Sequence, residues 1–478
     1  MKNGYDYDVA VIGGGGAGLS AALTASGFGK KTVIIEKNKT GGECTWSGCI
    51  PTKSLIHIAR GVSDFRTLTK FYGLSEEFLN KKPEGVLDEV RKIIYRVYSG
   101  EDPEALKQKG IDVIQEEALL KDSTTISVGN KTIKAKKIIL ALGSSPIIPR
   151  LKGLTSNDCL TNENFFMQKE LPSSLIILGG GPIGSELALA SSRLGCKVTI
   201  VQSGQSILAR EDRELTALLM KRFIEEGIVI ETDSRASEFR KNGDEVELDI
   251  KTSSGVKKTL KADALLCATG RSPNTSGAGL DEAGVKYSRD GIITDKFLRT
   301  SVPGVFACGD VVGPYRFSHV SGKEGVTAAL NAILPFKTAM DYSSVLWTTF
   351  TDPELSRLGL TFEEALEKFG NRIRLIKIPF SDIERAVTEN RTEGIAKFVL
   401  DRKNMILGVH ILGVSAGEIM HEAALLKRSG KPLSYARKYM HAYPGYSDII
   451  AKAAQKAYIE SINDNLIVKI IKYLKKGV

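Results

Sequence analysis

One glycine turn occurs twice in this chain, and nothing else in the 478 residues limits its fold as strongly. VAVIGGGGAGLSAAL reads as an apolar strand entering Gly13-x-Gly15-x-x-Gly18 and then a helix. The next strand, TVIIE, ends in Glu36, which puts an acid about 20 residues past the turn, in reach of a ribose hydroxyl. Glycines permit the tight turn and a close backbone approach, and the helix N-terminus faces a pyrophosphate. The pattern returns in SLIILGGGPIGSELALA, with Gly179-x-Gly181-x-x-Gly184, followed by the strand KVTIV. Two such units predict two dinucleotide-binding domains, an arrangement suited to passing electrons between two cofactors. After the second unit, Gln202 stands where the ribose acid is expected. A glutamine does not repel a 2′-phosphate as an acid would. Arg210 and Arg213 follow, so NADPH is favoured, with NADH as the other donor.

GGECTWSGCIPTK, residues 41–53, holds Cys44 and Cys49 five positions apart. A zinc site needs closer spacing and further ligands, and His57 is the one candidate nearby. A structural clip across four residues gains little from loop closure. A redox pair fits best. On a regular helix the two would be separated by roughly 7.5 Å of rise, too far for a relaxed disulfide. Gly48 supplies the irregular backbone that bonding requires. IPTKSLIHIAR continues as a helix, which places Cys49 near an N-terminus that favours its thiolate. The other cysteines, Cys159, Cys196, Cys267 and Cys308, sit in apolar contexts and are expected to be buried.

These residues resemble the class I pyridine nucleotide–disulfide oxidoreductases, the flavoprotein family of glutathione reductase, lipoamide dehydrogenase and mercuric reductase. The family's GGxCxxxGCxPxK motif stands as Gly41, Gly42, Cys44, Gly48, Cys49, Pro51 and Lys53. TSVPGVFACGD ends in Asp310, matching the acid that holds the flavin's ribityl chain. ALGSSP, with Gly143, and ATGRSPN, with Gly270, match the two crossovers between the FAD and NAD(P)H domains. Glu186 matches the acid that pairs with the motif lysine, and His319 falls where the family chain passes the flavin. The resemblance implies an α/β fold: two Rossmann-like dinucleotide-binding domains plus an α+β C-terminal dimerisation domain. It also implies a homodimer, FAD on the first unit and the nicotinamide on the second. Cys49 would carry the charge-transfer thiolate, Cys44 would attack the substrate, and Lys53 with Glu186 would tune the flavin edge.

The match departs from the disulfide reductases near the C-terminus. Where those enzymes carry H-P-T-x-S-E, this chain reads MHAYPGYSDII: Tyr443 replaces the histidine, Gly445 the threonine and Asp448 the glutamate. A histidine titrates near about 6.5 and exchanges protons at neutral pH, whereas a tyrosine, near about 10, does not. His441, on an extended segment, would lie roughly 7 Å away on the same side. Mercuric reductases resemble this chain in carrying tyrosine there. ECTWSGCIPTK, GGGPIGSELALA, REDRE and IYRVYSGEDPEAL also look closest to mercuric-reductase-like members. No cysteine follows Cys308, where mercuric reductases carry a metal-handing pair. The acceptor therefore stays open between Hg(II) and another thiophilic electrophile. The alternatives are a disulfide reductase, lipoamide-dehydrogenase-like with His441 or water as proton donor, and a flavin-bound redox sensor or docking protein.

The expected organisation is an FAD-binding part over 1–150, an NAD(P)H domain over 151–273, a return to the FAD domain over 274–345, and a dimerisation domain over 346–478. The net charge of +10 is scattered, which does not favour nucleic-acid binding. The basic tail 466–478 reads as a terminal helix packed on its own protein, with contact to an anionic membrane surface as the other reading. A strand beginning within the first ten residues leaves no room for a signal peptide, and no apolar run reaches membrane length. Six cysteines are too few for a secreted framework, so the expected location is cytoplasmic. No resident metal is expected.

Overall fold

The computed structural model describes residues 4–72 and 83–464; the tail at 466–478 lies outside them. The chain divides into two compact units. The first comprises residues 1–179, 193–201 and 235–341, and the second 180–192, 202–234 and 342–478.

The first unit is built on a parallel sheet that begins with Tyr7–Ile12, whose last four residues are buried. It pairs on one side with Thr32–Ile35 and on the other with Lys131–Leu140. Ile111–Ile114 extends the sheet beyond Thr32–Ile35, and Val305–Ala307 joins the C-terminal half of Lys131–Leu140. Strands buried on both faces read as continuous apolar runs, which is why VAVI and TVII carry no polar alternation. Helix Gly16–Gly27 covers one face with Leu19, Ala21, Ala22 and Ala25. Helix Ser318–Ile333 packs tightly on it, since a Cβ on Gly325 would come 2.2 Å from the Ala17 carbonyl. A second parallel sheet pairs Ser174–Leu178 with Lys197–Val201 and with Ala264–Cys267. Among the described residues before position 110, helices run over Cys49–Tyr72, Val86–Tyr98 and Pro103–Gln108.

The second unit centres on a five-stranded antiparallel sheet in the order Leu346–Thr349, Glu354–Gly359, Ile406–Gly413, Ile395–Asp401, Ile373–Pro379. Helices Ala416–Arg428 and Asp448–Asp464 supply the rest of its core, where Phe380, Phe398, Ile411, Met420 and Ile450 are packed. The stretch KFVLDRKNMILGVHILG lies in two strands joined by a turn.

Helix Arg213–Glu225 opens on Asp212, whose Oδ1 accepts the amides of Glu214 (3.1 Å) and Leu215 (3.3 Å). The same carboxylate is ion-paired to Lys397 at 2.6 Å, with both residues buried. Burial alone would lower the Lys397 ammonium, but the bonds to Asp212 and Glu214 outweigh it and hold the group above its usual range. Removing one partner of a buried pair leaves an uncompensated charge, so Lys397→Met is expected to cost about 3–5 kcal/mol. The midpoint of denaturant unfolding at fixed protein concentration measures this. Adding Asp212→Asn should recover part of the loss.

Candidate functional site

The first glycine turn and the cysteine loop are fitted to one another. Gly13 adopts φ +104°, and a Cβ there would come 2.2 Å from the Ala141 carbonyl. Gly179 of the second turn repeats this against the Ala268 carbonyl at 2.4 Å, so the two units share one local construction. Glu36 braces the first turn: Oε2 accepts the Gly14 amide at 2.7 Å and Oε1 the Asn38 amide at 2.8 Å. The Gly41 amide donates to the Gly14 carbonyl at 2.9 Å. Gly42 lies so close that its Cβ would be 2.5 Å from the Gly15 Cα. The paired glycines before Cys44 are therefore what let the cysteine loop touch the first glycine turn.

Cys44 lies in the short helix Gly42–Trp46, and Cys49 is the first residue of the long helix Cys49–Tyr72. Gly48 makes the break between them, where a Cβ would stand 2.9 Å from the Glu43 carbonyl. Trp46 anchors the loop by donating to the Thr40 carbonyl at 2.8 Å and packing its ring on Tyr95 and Tyr98. The neighbouring Cys49 and, after it, burial push the Cys44 thiol well above its ordinary range. Two features favour a thiolate on Cys49: the helix N-terminus, and Ser318 Oγ at 3.2 Å from its Sγ. Lys53 follows Cys49 by one helical turn and is half-buried. His319, next to Ser318, is exposed and stacks on Phe317.

No sequence motif marks the polar chain beside this pair. Glu43, just before Cys44, is ion-paired to Arg271 at 2.6 Å and accepts from Asn162 Nδ2 at 2.9 Å. Arg271 also donates through Nε to Ser144 Oγ at 2.8 Å, and Ser144 donates to Asp310 Oδ2 at 2.7 Å. Ser321 donates to the other Asp310 oxygen at 3.1 Å. Arg271 and Ser144 belong to the two crossover segments, which pair as an antiparallel ribbon of Ser144–Pro146 with Arg271–Pro273. Gly143 and Gly270 end on this ribbon: Asn274 donates its amide to the Gly143 carbonyl and Ile147 to that of Gly270.

Burial raises Glu43 to about 7; Arg271 opposes the rise, while Asp310 and Cys49 add to it. The ion pair and the raised value pull in opposite directions, and desolvation wins because the carboxylate is largely enclosed. A carboxyl whose folded value lies above its unfolded one stabilises the fold at low pH and loses that contribution as pH rises. Between pH 4.5 and about 7, stability should fall by on the order of 2–3 kcal/mol through this group. Glu43→Gln should flatten that part of the stability profile, measured by chemical denaturation at several pH values.

In the second unit, the Gly180 amide donates to Gln202 Oε1 at 2.9 Å. Gln202 thus repeats the bracing role of Glu36 while leaving its Nε2 as a donor. Arg210 and Arg213 are exposed. Gly184 is buried, and a Cβ on Gly181 would meet nothing within 4 Å. Glu186 is 5% exposed and accepts the Phe350 amide at 2.8 Å.

The loop that departs from the disulfide-reductase pattern lies in the same unit, and no strand forms between residues 439 and 447. Tyr443 is 74% exposed. Gly445 cannot be a threonine in this loop without adjustment, since a Cβ would lie 2.7 Å from the Ala442 carbonyl. Asp448 Oδ2 accepts the Gly445 amide at 3.3 Å. His441 Nε2 is 3.0 Å from Glu422 Oε1, and Tyr439 donates to the same oxygen. Glu422, on helix Ala416–Arg428, is a partner that the sequence did not reveal.

Comparison with known proteins places these features. The model for pyridine nucleotide-disulphide oxidoreductases matches residues 7–333, and the model for the dimerisation domain of the same enzymes matches residues 345–454. A dihydrolipoyl dehydrogenase of Thermus scotoductus is 34% identical over 462 residues, covering 96% of this chain and 98% of that protein. A mercuric reductase of Staphylococcus aureus is 31% identical over 434 residues, covering 89% and 78%. Among solved structures, the HOCl-induced flavoprotein disulfide reductase RclA of Escherichia coli has a TM-score of 0.84 at 27% identity, covering 94% of this chain and 99% of that one. The chain belongs to the class I pyridine nucleotide-disulfide oxidoreductases, which are FAD-dependent enzymes with NAD(P)H as electron donor. Its dimerisation domain supports a homodimer.

The residues fit the flavin nucleotide. Helix Gly16–Gly27 opens at Gly16, where a Cβ would meet nothing within 4 Å, with Glu36 beside the turn and Asp310 held by two serines. Among the described residues, no group of three or more His, Cys, Asp and Glu side chains could hold a metal ion. No described helix is long and apolar enough to cross a membrane.

Proposed function

We propose that this enzyme uses NAD(P)H to reduce a thiophilic electrophile, a soft metal ion such as Hg(II), through the Cys44–Cys49 pair. The observation that carries this reading is the placing of Cys49 at a helix N-terminus beside Ser318, taken together with a C-terminal loop that presents Tyr443 in place of a histidine. When bound, FAD supplies the two-electron link between the nicotinamide and the disulfide. Cys44 offers the incoming electrophile a thiol, Cys49 holds the thiolate, and Lys53 with Glu186 sets the charge at the flavin edge. Glu43, Arg271 and Ser144 tie the cysteine loop to Asp310, the acid that would hold the ribityl chain.

Proton balance favours a metal acceptor. Reduction of Hg(II) by NADPH gives Hg(0), NADP⁺ and a proton, so no acid is needed. Reduction of a disulfide by NADPH consumes a proton and leaves two thiols, so an acid is needed. A mercuric reductase is among the relatives, and RclA has been solved as a Cu(II) complex. The decisive experiment compares turnover of Hg(II), Cu(II), lipoamide and glutathione disulfide on one preparation.

A second reading has one observation in its favour: His441 is oriented by Glu422, a histidine–carboxylate pair of the kind that moves protons in disulfide reduction. In the homodimer, the loop 440–450 of one protomer would then serve the cysteines of its partner. The domain division follows the two cofactors: FAD on 1–150 and 274–345, nicotinamide on 151–273, dimerisation from 346.

NADPH is the preferred donor in this reading, because Gln202 Nε2 remains a donor once Oε1 is engaged by Gly180. Gln202→Glu should move the ratio of kcat/KM for NADPH over NADH towards NADH by about tenfold or more, through repulsion of the 2′-phosphate. An unchanged ratio would show that this side chain does not read the ribose.

A further inference from the structure

One row of residues crosses the whole five-stranded sheet of the second unit. Trp347 is paired with Arg357, Arg357 with His410, His410 with Lys397, and Lys397 with Lys377. Directly paired residues point to the same face of a sheet. The next row, Leu346, Leu358, Val409, Phe398 and Ile376, points to the other face, where the apolar core lies. Burial keeps His410 below its usual range, and its Nε2 is 2.9 Å from the Leu360 carbonyl. Arg357, Lys397 and Lys377 give the row three cations, an arrangement that repels itself unless acids face it.

One short stretch of chain faces this row. The Arg210 carbonyl accepts from Arg357 Nη1, Glu211 Oε1 accepts from Trp347 Nε1 at 2.7 Å, and Asp212 is ion-paired to Lys397 at 2.6 Å. Glu214 reaches Lys377 at 2.6 Å and Lys397 at 3.0 Å. The same stretch leads to the second glycine turn through successive hydrogen bonds. The Leu208 amide donates to the Gly180 carbonyl at 2.8 Å, and the Glu211 amide to the Leu208 carbonyl at 2.8 Å. Leu208 stands at φ +49°, a conformation that such a residue keeps only where its surroundings impose it. Gly180 is thus held from both sides, its amide by Gln202 and its carbonyl by Leu208. Ile207 closes the remaining space, since a Cβ on Gly180 would lie 2.6 Å from Ile207 Cγ2.

We propose that this row is the mount of the second glycine turn, and that Trp347 is a positioning residue for the dinucleotide, fixing the shape of the turn through Glu211 and Leu208 before the ligand arrives. This role presupposes that the turn receives the nicotinamide dinucleotide, as in the reading above. The ion pairs hold the row against the loop, and the indole bond is the link that one small change removes. Phenylalanine at 347 keeps a ring beside Arg357 but has no N–H to donate. Glu211 is 8% exposed; burial raises its carboxyl, and the indole bond is the foremost of the contacts opposing that rise. Without the bond, the side chain gains by turning towards water, and the loop moves with it. A turn that holds its shape in only part of the population binds with proportionally lower apparent affinity.

The test follows flavin reduction by NADPH in the flavin-loaded full chain under anaerobic stopped flow, which needs no electron acceptor and gives a limiting rate and a half-saturating concentration. Trp347→Phe should raise the half-saturating concentration by about fivefold or more, with the limiting rate within about twofold of the wild type. Glu211→Ala should give the same rise, whereas Glu211→Gln, which keeps an acceptor for the indole, should stay within about twofold. Gly181→Phe tests the nicotinamide reading itself: its Cβ position is open, so a ring there blocks the approach and should raise half-saturation by about tenfold or more. A rise in Gly181→Phe with none in Trp347→Phe or Glu211→Ala would overturn the mount and leave the nicotinamide reading standing. An unchanged value in Gly181→Phe would overturn that reading and the mount with it. A Trp347→Phe protein with a lower denaturation midpoint and unchanged half-saturation would make the indole bond a purely structural one, which also overturns the proposal.

Discussion

Titrated anaerobically with NADPH, the Cys49→Ser protein is expected to bleach without developing the long-wavelength absorbance that the wild type gains after two electrons, and its turnover should fall by about 10³-fold or more. The band requires a thiolate against the flavin, and on the proposed reading Cys49 carries it. Cys44 is disfavoured as a thiolate by the neighbouring Cys49 and by burial. Cys49 stands at the first residue of a long helix, with the Ser318 hydroxyl 3.2 Å away. The partner replacement separates the roles. Cys44→Ser should keep the band, because its thiolate remains, while losing turnover to a similar degree. A band lost in Cys44→Ser and kept in Cys49→Ser would exchange the two roles. A wild-type protein that bleaches with no band would remove the pair from the electron path altogether.

How much of this could be read from the chain depended on how local each feature is. The glycine turns, the GGxCxxxGCxPxK loop and the crossover segments are short, because each solves a steric problem within a few residues. Gly42 against Gly15 is the limiting case: the contact is long-range, yet both partners had to be glycine, and so both carried a mark. Glu43, Arg271, Asn162 and Ser318 carry no such mark. Each is an ordinary polar residue until the fold brings together positions more than 100 apart, and its chemistry comes from the neighbours and the burial it then acquires. Cys159 and Cys267 were legible as buried, because each stands in an apolar run. For His441, the sequence spacing to Tyr443 drew attention along the strand direction, whereas its partner is Glu422 on another helix. The same holds for Lys397 and Asp212, where a helix cap and a strand lysine meet across 185 positions.

The acceptor is where the largest difference between readings can be measured. With NADPH as donor, kcat/KM for Hg(II) presented as a thiol complex should exceed that for lipoamide or glutathione disulfide by about 10²-fold or more, the factor a positioned acid contributes. Both reactions use Cys44 to receive the electrophile, so they differ chiefly in what leaves. A metal ion leaves reduced and needs no proton. A departing substrate thiolate does, and a phenol titrating near about 10 is a poor source at neutral pH. Tyr443 is exposed on the single chain, and a threonine at Gly445 would require its loop to adjust. The histidine–carboxylate pair of His441 and Glu422 is the one arrangement in this loop that could restore the missing step. His441→Ala therefore decides between the readings. If disulfide turnover in the wild type is slow and His441→Ala leaves it unchanged, the pair is structural and the metal reading stands. If that turnover is fast and His441→Ala lowers it by about 10²-fold while Hg(II) turnover is kept, the proton comes from His441 and the enzyme is a disulfide reductase. Loss of both activities together would instead place His441 in the fold of the dimerisation domain, which the denaturation midpoint of the variant would register independently.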